Sequence, residues 1–358
     1  MNILILANND VGLYQFRREL ISALLQKHSV TISLPYGPLV EPLKEAGCRF
    51  VDTPIDRRGI NPVTDLKLLR QYKKMLKTEK PDLVICYTIK PNIYGGLACR
   101  SCGIPYAVNI TGLGTAFQGK GMLRTLVTML YKTALKKAGT VFFENSANRQ
   151  FFIDEKIVPE EKTCLLNGAG VNLERYKPAQ YPSEGRTHFL FVGRVMKEKG
   201  IGELFEAMVR LNTAGANCCL DVLGQYEEDY ESLIRKGEAA GWLNYYGYQT
   251  DVRPFIEKAH CFVLPSYHEG MANTNLECAA MARPVITSDI PGCREAVTEE
   301  SGILCKPQDA ESLYSAMQRF LALSRQERQA MGQAGRAHMQ AVFDKQKVIQ
   351  TTMNALKL

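Results

Sequence analysis

The chain has 358 residues, of which 46% are hydrophobic and 23% charged. Those fractions exclude a disordered chain, a collagen and a coiled coil, and the length suits two domains with separate cores. The net charge of +7 is uneven. Residues 1–180 carry 25 Lys and Arg against 15 Asp and Glu, giving +10, and residues 181–358 carry 19 against 22, giving −3. The first half is therefore expected to face something anionic: a membrane surface, a phosphorylated substrate or nucleic acid.

No apolar run reaches the ~18–20 residues needed to span a bilayer. The segment Met1–Asp10 lacks the basic flank of a signal peptide, so it reads as a buried first strand and the cytoplasm is the expected location. The eleven cysteines are expected as reduced core thiols. Cys99 and Cys102 make a lone C-x-x-C without the second pair or histidines that a zinc site wants.

Apolar strand-like runs alternate with helical patterns, which predicts parallel sheets covered by helices. The first half reads as strands at 2–7, 29–34, 49–52, 83–87, 106–110 and 140–144. Helices are expected over about 13–26 and 64–79. Pro178, Pro182 and Gly185 make 176–186 the expected linker. The pattern then restarts, with strands at 188–192, 219–223, 245–248, 261–265, 284–288 and 303–305. Helices are expected to begin near Ile201, Glu227, Val252, Asn273 and Gly292. Two long helical stretches follow, over about 309–323 and 325–342, and a short one closes the chain from Asp344. The fold class is thus α/β, with two doubly wound domains at 1–180 and 181–342 and a last helix at 343–358. Ligands of such sheets bind beyond the carboxyl ends of the strands, in a cleft drawing on both halves. No G-x-G-x-x-G follows either opening strand and no Walker A sequence is present, which argues against a simple dehydrogenase or a P-loop enzyme.

Two segments carry chemistry. In Phe191–Gly200 a strand gives way at Gly193 to a loop with Arg194, Lys197 and Lys199, leading into a helix. Arg194 and Lys199 can converge on a diphosphate, with the helix N-terminus adding its dipole. In Pro265–Glu277 a buried strand runs into a loop with Glu269, and Glu277 follows eight positions later, one turn inside a helix. Carboxylates there accept from sugar hydroxyls, and the first-turn amides suit an anion.

Here the sequence resembles the family 4 retaining glycosyltransferases. Glu269 and Glu277 fit their E-x7-E motif. Gly193–Gly200 is similar to their G-R-x-x-x-x-K-G segment, and Asn167–Asn172 to their hinge-side N-G-x-G-V-[DN] loop. Asp289–Glu295 and Pro265–Gly270 also match, so the resemblance spans essentially the whole chain. It implies a GT-B fold of two Rossmann-like domains, with the nucleotide-sugar largely on the second and a last helix crossing back to the first.

The roles follow residue by residue. Arg194 and Lys199 would hold the donor diphosphate, Glu269 hydroxyls of the transferred sugar, and Glu277 the ribose. Amides around Met271, Ala272, Asn273 and Thr274 would meet sugar and phosphate, and Gly193, Gly247 and Tyr248 would flank the nucleotide. The glycine after the first strand, here the single Gly12, belongs to the same set. Catalysis would rest on Glu269, Arg194 and Lys199 stabilising the leaving diphosphate, with no metal or other cofactor and no enzymic nucleophile. Many relatives carry an N-domain histidine near the donor; here Thr111 occupies that loop, and Ala272 stands where many have proline.

Within the family, Gly12–Arg17, Thr88–Asn92 and Asn109–Phe117 are similar to bacterial enzymes that extend saccharides on undecaprenyl diphosphate at the inner membrane face. Arg17, Lys90, Asn109 and Thr111 would then lie on the acceptor side. The stretch Gly119–Gly139 is basic and amphipathic, as a helix lying on an anionic leaflet would be. A UDP-sugar donor, a lipid-linked acceptor and peripheral membrane attachment are therefore expected, and nucleic acid is not. A sugar-nucleotide epimerase on the same fold, and a non-catalytic sugar-nucleotide or lipid-binding protein, stay open at this level.

Overall fold

The computed structural model describes residues 1–56, 61–114, 117 and 121–358. Gly119 and Lys120, which begin the expected amphipathic stretch, lie outside the described residues, as do Thr115 and Ala116 of the 109–117 segment. Two compact units result. The first comprises Met1–Ala169 and Gln346–Leu358, the second Gly170–Lys345.

In the first unit the elements run β1 (Asn2–Leu6), α1 (Asp10–Leu25), β2 (Ser29–Leu34), α2 (Val40–Glu45), β3 (Arg49–Asp52), α3 (Pro62–Glu79) and β4 (Leu83–Tyr87). A π-helical turn at Pro91–Gly95 leads into α4 (Gly96–Cys102), then β5 (Tyr106–Ile110), α5 (Met122–Leu135), β6 (Thr140–Phe143), α6 (Ser146–Asp154) and β7 (Thr163–Leu165). The strands form one parallel sheet in the order β3-β2-β1-β4-β5-β6-β7. β4 and β5 are buried along their whole length, which their unbroken apolar character requires of a sheet covered on both faces. Asparagines start three helices: Asn9, Asn61 and Asn145 accept from Gly12, Val63 and Asn148 respectively.

The second unit holds β8 (Thr187–Val192), α7 (Ile201–Thr213), β9 (Cys218–Leu223), α8 (Glu231–Ala239), β10 (Leu243–Gly247), α9 (Arg253–Lys258) and β11 (Cys261–Leu264). It continues with α10 (Asn273–Ala280), β12 (Val285–Ser288), β13 (Gly302–Cys305), α11 (Ala310–Ala322) and α12 (Arg325–Val342). Its parallel sheet is ordered β10-β9-β8-β11-β12-β13. In both sheets the order reverses at the opening strand, β1 or β8, the switch point beyond which ligands of such sheets gather.

Three expectations change. The helix expected from Gly292 is only a 3-10 turn at Arg294–Ala296, because the short Asp289–Glu295 stretch folds on itself: Arg294 donates to Asp289 O and Glu295 accepts from Gly292 N. The helix expected near Glu227 begins at Glu231, since Glu227 and Glu228 donate their amides to Val195 O instead. The stretch 176–186 is a strap of the second unit and not a linker. Arg283, fully buried, donates to Ala179 O at 3.1 Å and Gln180 O at 2.8 Å, and also to the carbonyls of Ile256, Glu257, Met281 and Ala282. Arg325 binds Tyr181 O and Pro182 O, and Arg336 binds Tyr176 O. The break between units falls at Ala169–Gly170, inside the 167–172 motif, where Gly168 and Gly170 both have positive φ.

The final helix, α13 (Lys345–Leu356), joins the first unit from Gln346 onwards. Ile349 packs with the β1–β2–β4 core and Val348 with Ala107, Phe142 and Leu166. No helix among the described residues is long and apolar enough to cross a membrane.

Candidate active site

The second unit places the expected donor residues on loops at the carboxyl ends of adjacent strands. β8 ends at Val192, and Gly193 hands the chain to a turn at Lys197–Lys199 before α7. Gly200 closes that turn in the left-handed region (φ +69°). A Cβ on Gly200 would collide with Pro265 O, so the basic turn and the 265–272 loop press backbone to backbone. Two bonds fix the contact: Tyr267 N donates to Glu198 O at 2.9 Å, and Tyr267 Oη donates to Glu203 Oε1 at 2.5 Å.

That contact brings the two motifs together. Lys199 Nζ is ion-paired and hydrogen-bonded to Glu269 Oε1, both side chains being largely buried. Arg194 is half exposed and lies 3.6 Å from Glu227 Oε2. Cationic and anionic groups so placed can serve a diphosphate and a hydroxyl-bearing sugar side by side.

α10 begins on Ala272 and α7 on Gly200, so neither cap residue has a side-chain acceptor to offer the first turn. Glu277 sits on α10, and its carboxylate meets the Tyr176 hydroxyl, whose pKa is pushed up by burial and by that charge. Met271 and Ala272 are buried, and Asn273 and Thr274 half-buried. The amides of Ala272 and Asn273, expected to meet the donor, are already bonded to Gly292 O at 2.7 Å and Met271 O at 3.0 Å. These two therefore shape the loop. Ser266 Oγ and Asn273 Oδ1 are buried with no hydrogen-bond partner among the described residues, which marks the loop as one that a ligand or water completes.

On the other side of β8, Gly193 N donates to Leu223 O and Gly224 N to Gly247 O at 2.8 Å. Tyr248 is exposed just beyond β10, and Tyr226 packs against Tyr245 with ring centroids 4.8 Å apart. Among the described residues, neither Glu269 nor Glu277 belongs to a group of three metal-ligand side chains.

The residues expected on the acceptor side lie in the first unit. Arg17 is buried, paired with Glu144 and stacked over Tyr87 at 4.9 Å. Lys90 Nζ is 2.7 Å from Asp65 Oδ1, and Tyr94 Oη donates to the other oxygen of that carboxylate at 2.9 Å. Asn109 is buried, and its carbonyl accepts from Asn92 Nδ2 at 2.8 Å. Thr111 is half-buried. Gly12 donates its amide to Asn9 Oδ1 at 2.6 Å as part of the α1 cap, so that amide is already in use.

Sequence reasoning missed the partners: Glu144, Asp65, Glu227, Tyr176 and Tyr267. Each is far in sequence from the residue it serves, so no local spacing announces it. Gly224 was detectable, as a glycine directly after a strand; at φ +143° its Cβ would strike Gly193 O.

Two family models match the chain: a glycosyl transferase 4-like domain over residues 2–145 and glycosyl transferases group 1 over residues 174–338. The chain is a glycosyltransferase built of these two domains. It is 28% identical over 332 residues to the N,N'-diacetylbacillosaminyl-diphospho-undecaprenol alpha-1,3-N-acetylgalactosaminyltransferase of Campylobacter jejuni, covering 87% of each chain. It is also 28% identical over 310 residues to the UDP-Gal:alpha-D-GlcNAc-diphosphoundecaprenol alpha-1,3-galactosyltransferase of Escherichia coli, covering 79% of this chain and 77% of that one. Among solved structures, Anabaena Alr3699/HepE in complex with UDP and glucose superposes with a TM-score of 0.83 at 16% identity, covering 100% of this chain and 99% of that one. This likeness establishes the GT-B fold, in which the two parallel-sheet units are the two Rossmann-like domains.

Proposed function

We propose that this glycosyltransferase moves a hexose or N-acetylhexosamine from a UDP-sugar to a lipid-linked saccharide, with retention of anomeric configuration. The observation that carries the donor half is the Lys199–Glu269 pair set against the start of α10. In the transfer, the bond from the sugar's anomeric carbon to the diphosphate breaks. An acceptor hydroxyl oxygen takes its place and passes its proton to the departing diphosphate. Arg194 and Lys199 stabilise the charge that grows on the departing diphosphate, a type of interaction whose loss typically costs about 2.7–4 kcal/mol of barrier. Glu269 orients the sugar and Glu277 the ribose. No metal enters this scheme.

The acceptor half is supported by the relatives named for diphospho-undecaprenol substrates. It is also supported by α5, which exposes Met122, Leu123, Leu126 and Met129. Lys132, Lys136 and Lys137 are exposed at its C-terminal end. Such a surface suits an anionic leaflet, where each basic residue contributes about 1 kcal/mol. Arg17 and Lys90, each already matched by a carboxylate, would order the acceptor surface more than supply free charge to it.

Calorimetric titration of UDP, GDP and ADP, with and without chelator, tests the donor half. The expected result is selective, chelator-insensitive UDP binding that Glu277→Gln weakens, whereas Glu269→Gln lowers turnover more than nucleotide affinity. Equal affinities for the wild type and both variants would overturn this division of roles. The anomeric configuration of the product, read by NMR, decides retention.

A further inference from the structure

Away from the donor residues, three potential metal ligands meet on the second sheet. Cys219 on β9 is paired in register with His188 on β8, and Asp221 lies two residues further along β9. The pleat therefore puts all three on one face. His188 Nδ1 is 3.0 Å from Asp221 Oδ2, and one ligand atom from each of the three residues lies within 4.8 Å of the others. Among the described residues, no other group of His, Cys, Asp and Glu gathers in this way.

We propose that His188, Cys219 and Asp221 bind a borderline-soft divalent cation of the zinc type, with solvent in the fourth position. The donor set of imidazole, thiolate and carboxylate is one that zinc takes. Bonds of about 2.0–2.3 Å to a tetrahedral ion put its donors roughly 3–4 Å apart, so the three atoms need only a small inward turn to close on one ion. The second shell is in place. Asn244 Nδ2 donates to Asp221 Oδ1 at 2.8 Å, which leaves Oδ2 directed at His188. His260 holds the ligand ring without competing for the ion. Its ring stacks on that of His188 at 6.1 Å, its Nδ1 accepts from His188 N, and its Nε2 donates to Ser183 O. An entry path exists, since the His188 side chain is 37% exposed and Asn244 is exposed beside it. Cys218 alternates to the opposite face and belongs to the core. An ion pair between His188 and Asp221 would need no sulfur; a metal uses all three. His188 and Cys219 stand at the starts of β8 and β9, whose far ends carry the Gly193–Gly200 loop and Gly224. The ion would clamp the two strands at the end remote from the donor residues, so the proposal is independent of the transfer scheme.

Cobalt(II) titration of the full chain tests it. The expected result is one equivalent bound, with a thiolate-to-cobalt charge-transfer band that zinc displaces. Cys219→Ser abolishes that band. Asn244→Ala leaves all three ligands in place and weakens cobalt binding about 10–100-fold, the usual cost of losing a second-shell partner. Zinc also raises the Tm of the wild type and not that of Cys219→Ser. A wild-type chain that shows no thiolate band at stoichiometric cobalt overturns the proposal, as does a band that survives Cys219→Ser.

Discussion

Single residues set the shape of the donor loops. Gly200 and Gly224 are irreplaceable for a steric reason: each holds a positive φ, and each lies where a side chain would strike a neighbouring carbonyl. Gly224→Ala is expected to cost about 1–3 kcal/mol in denaturant unfolding and to weaken nucleotide binding, because the Gly193 turn must move aside. Arg283 presents a different case. Its guanidinium is buried and meets six carbonyls, two of them on the 176–186 strap. Arg283→Met should destabilise the second unit by about 3 kcal/mol or more, since the carbonyls lose a charged donor that no water replaces. The strap looked like a linker from its prolines and Gly185. What holds it down are arginines about 100 or more positions away, and no local reading of the sequence could pair them. The motif glutamates and cations, by contrast, could each be placed from sequence near a strand end or a helix start, whereas the meeting of Lys199 with Glu269, 70 positions away, is a tertiary contact that no local spacing announces.

Elements were legible to the extent that burial dictated them. β2, β4 and β5, buried almost throughout, occupy the ranges that their apolar runs predict. β7 escaped because its three residues are too few to show a period. The π-helical turn at Pro91–Gly95 escaped because a proline there reads as a turn. α5 shows the converse. Val127, Tyr131, Ala134 and Leu135 are buried and Leu130 packs partly against the core, while Met122, Leu123, Leu126 and Met129 stay exposed. Replacing Leu126 and Met129 with serine is expected to reduce flotation with anionic liposomes while leaving Tm nearly unchanged. In the unaltered protein, added salt should weaken the same association as the Debye length falls to about 8 Å at physiological strength. Liposome association that ignores both changes would remove α5 as the contact. α12 is secured differently, by a reciprocal cap in which Ser324 and Glu327 satisfy each other's backbone amides. Ser324→Ala should cost about 0.5–2 kcal/mol, read as a lower urea midpoint.

At the scale of the whole molecule, the first unit is discontinuous and the second is not. Deleting 346–358 removes Val348 and Ile349 from the cores of the first unit, together with the Thr140–Ala355 hydrogen bond. Each such apolar side chain contributes about 1.5–3 kcal/mol when fully buried. The single tryptophan, Trp242, is buried in the second unit against Phe205. The deletion should therefore bring forward the unfolding of the first unit by circular dichroism while leaving the Trp242 fluorescence transition in place. A shift of both transitions together would mean that the last helix supports the second unit as well.

The same connectivity orders events at the ribosome. Residues 1–169 are made before the second unit but lack their closing helix until residues 346–358 follow it. The second unit, contiguous in sequence, can complete its sheet while the earlier one waits. The first unit is thus completed after the second, and in the interval the apolar surface that α13 will cover stands open to chaperones.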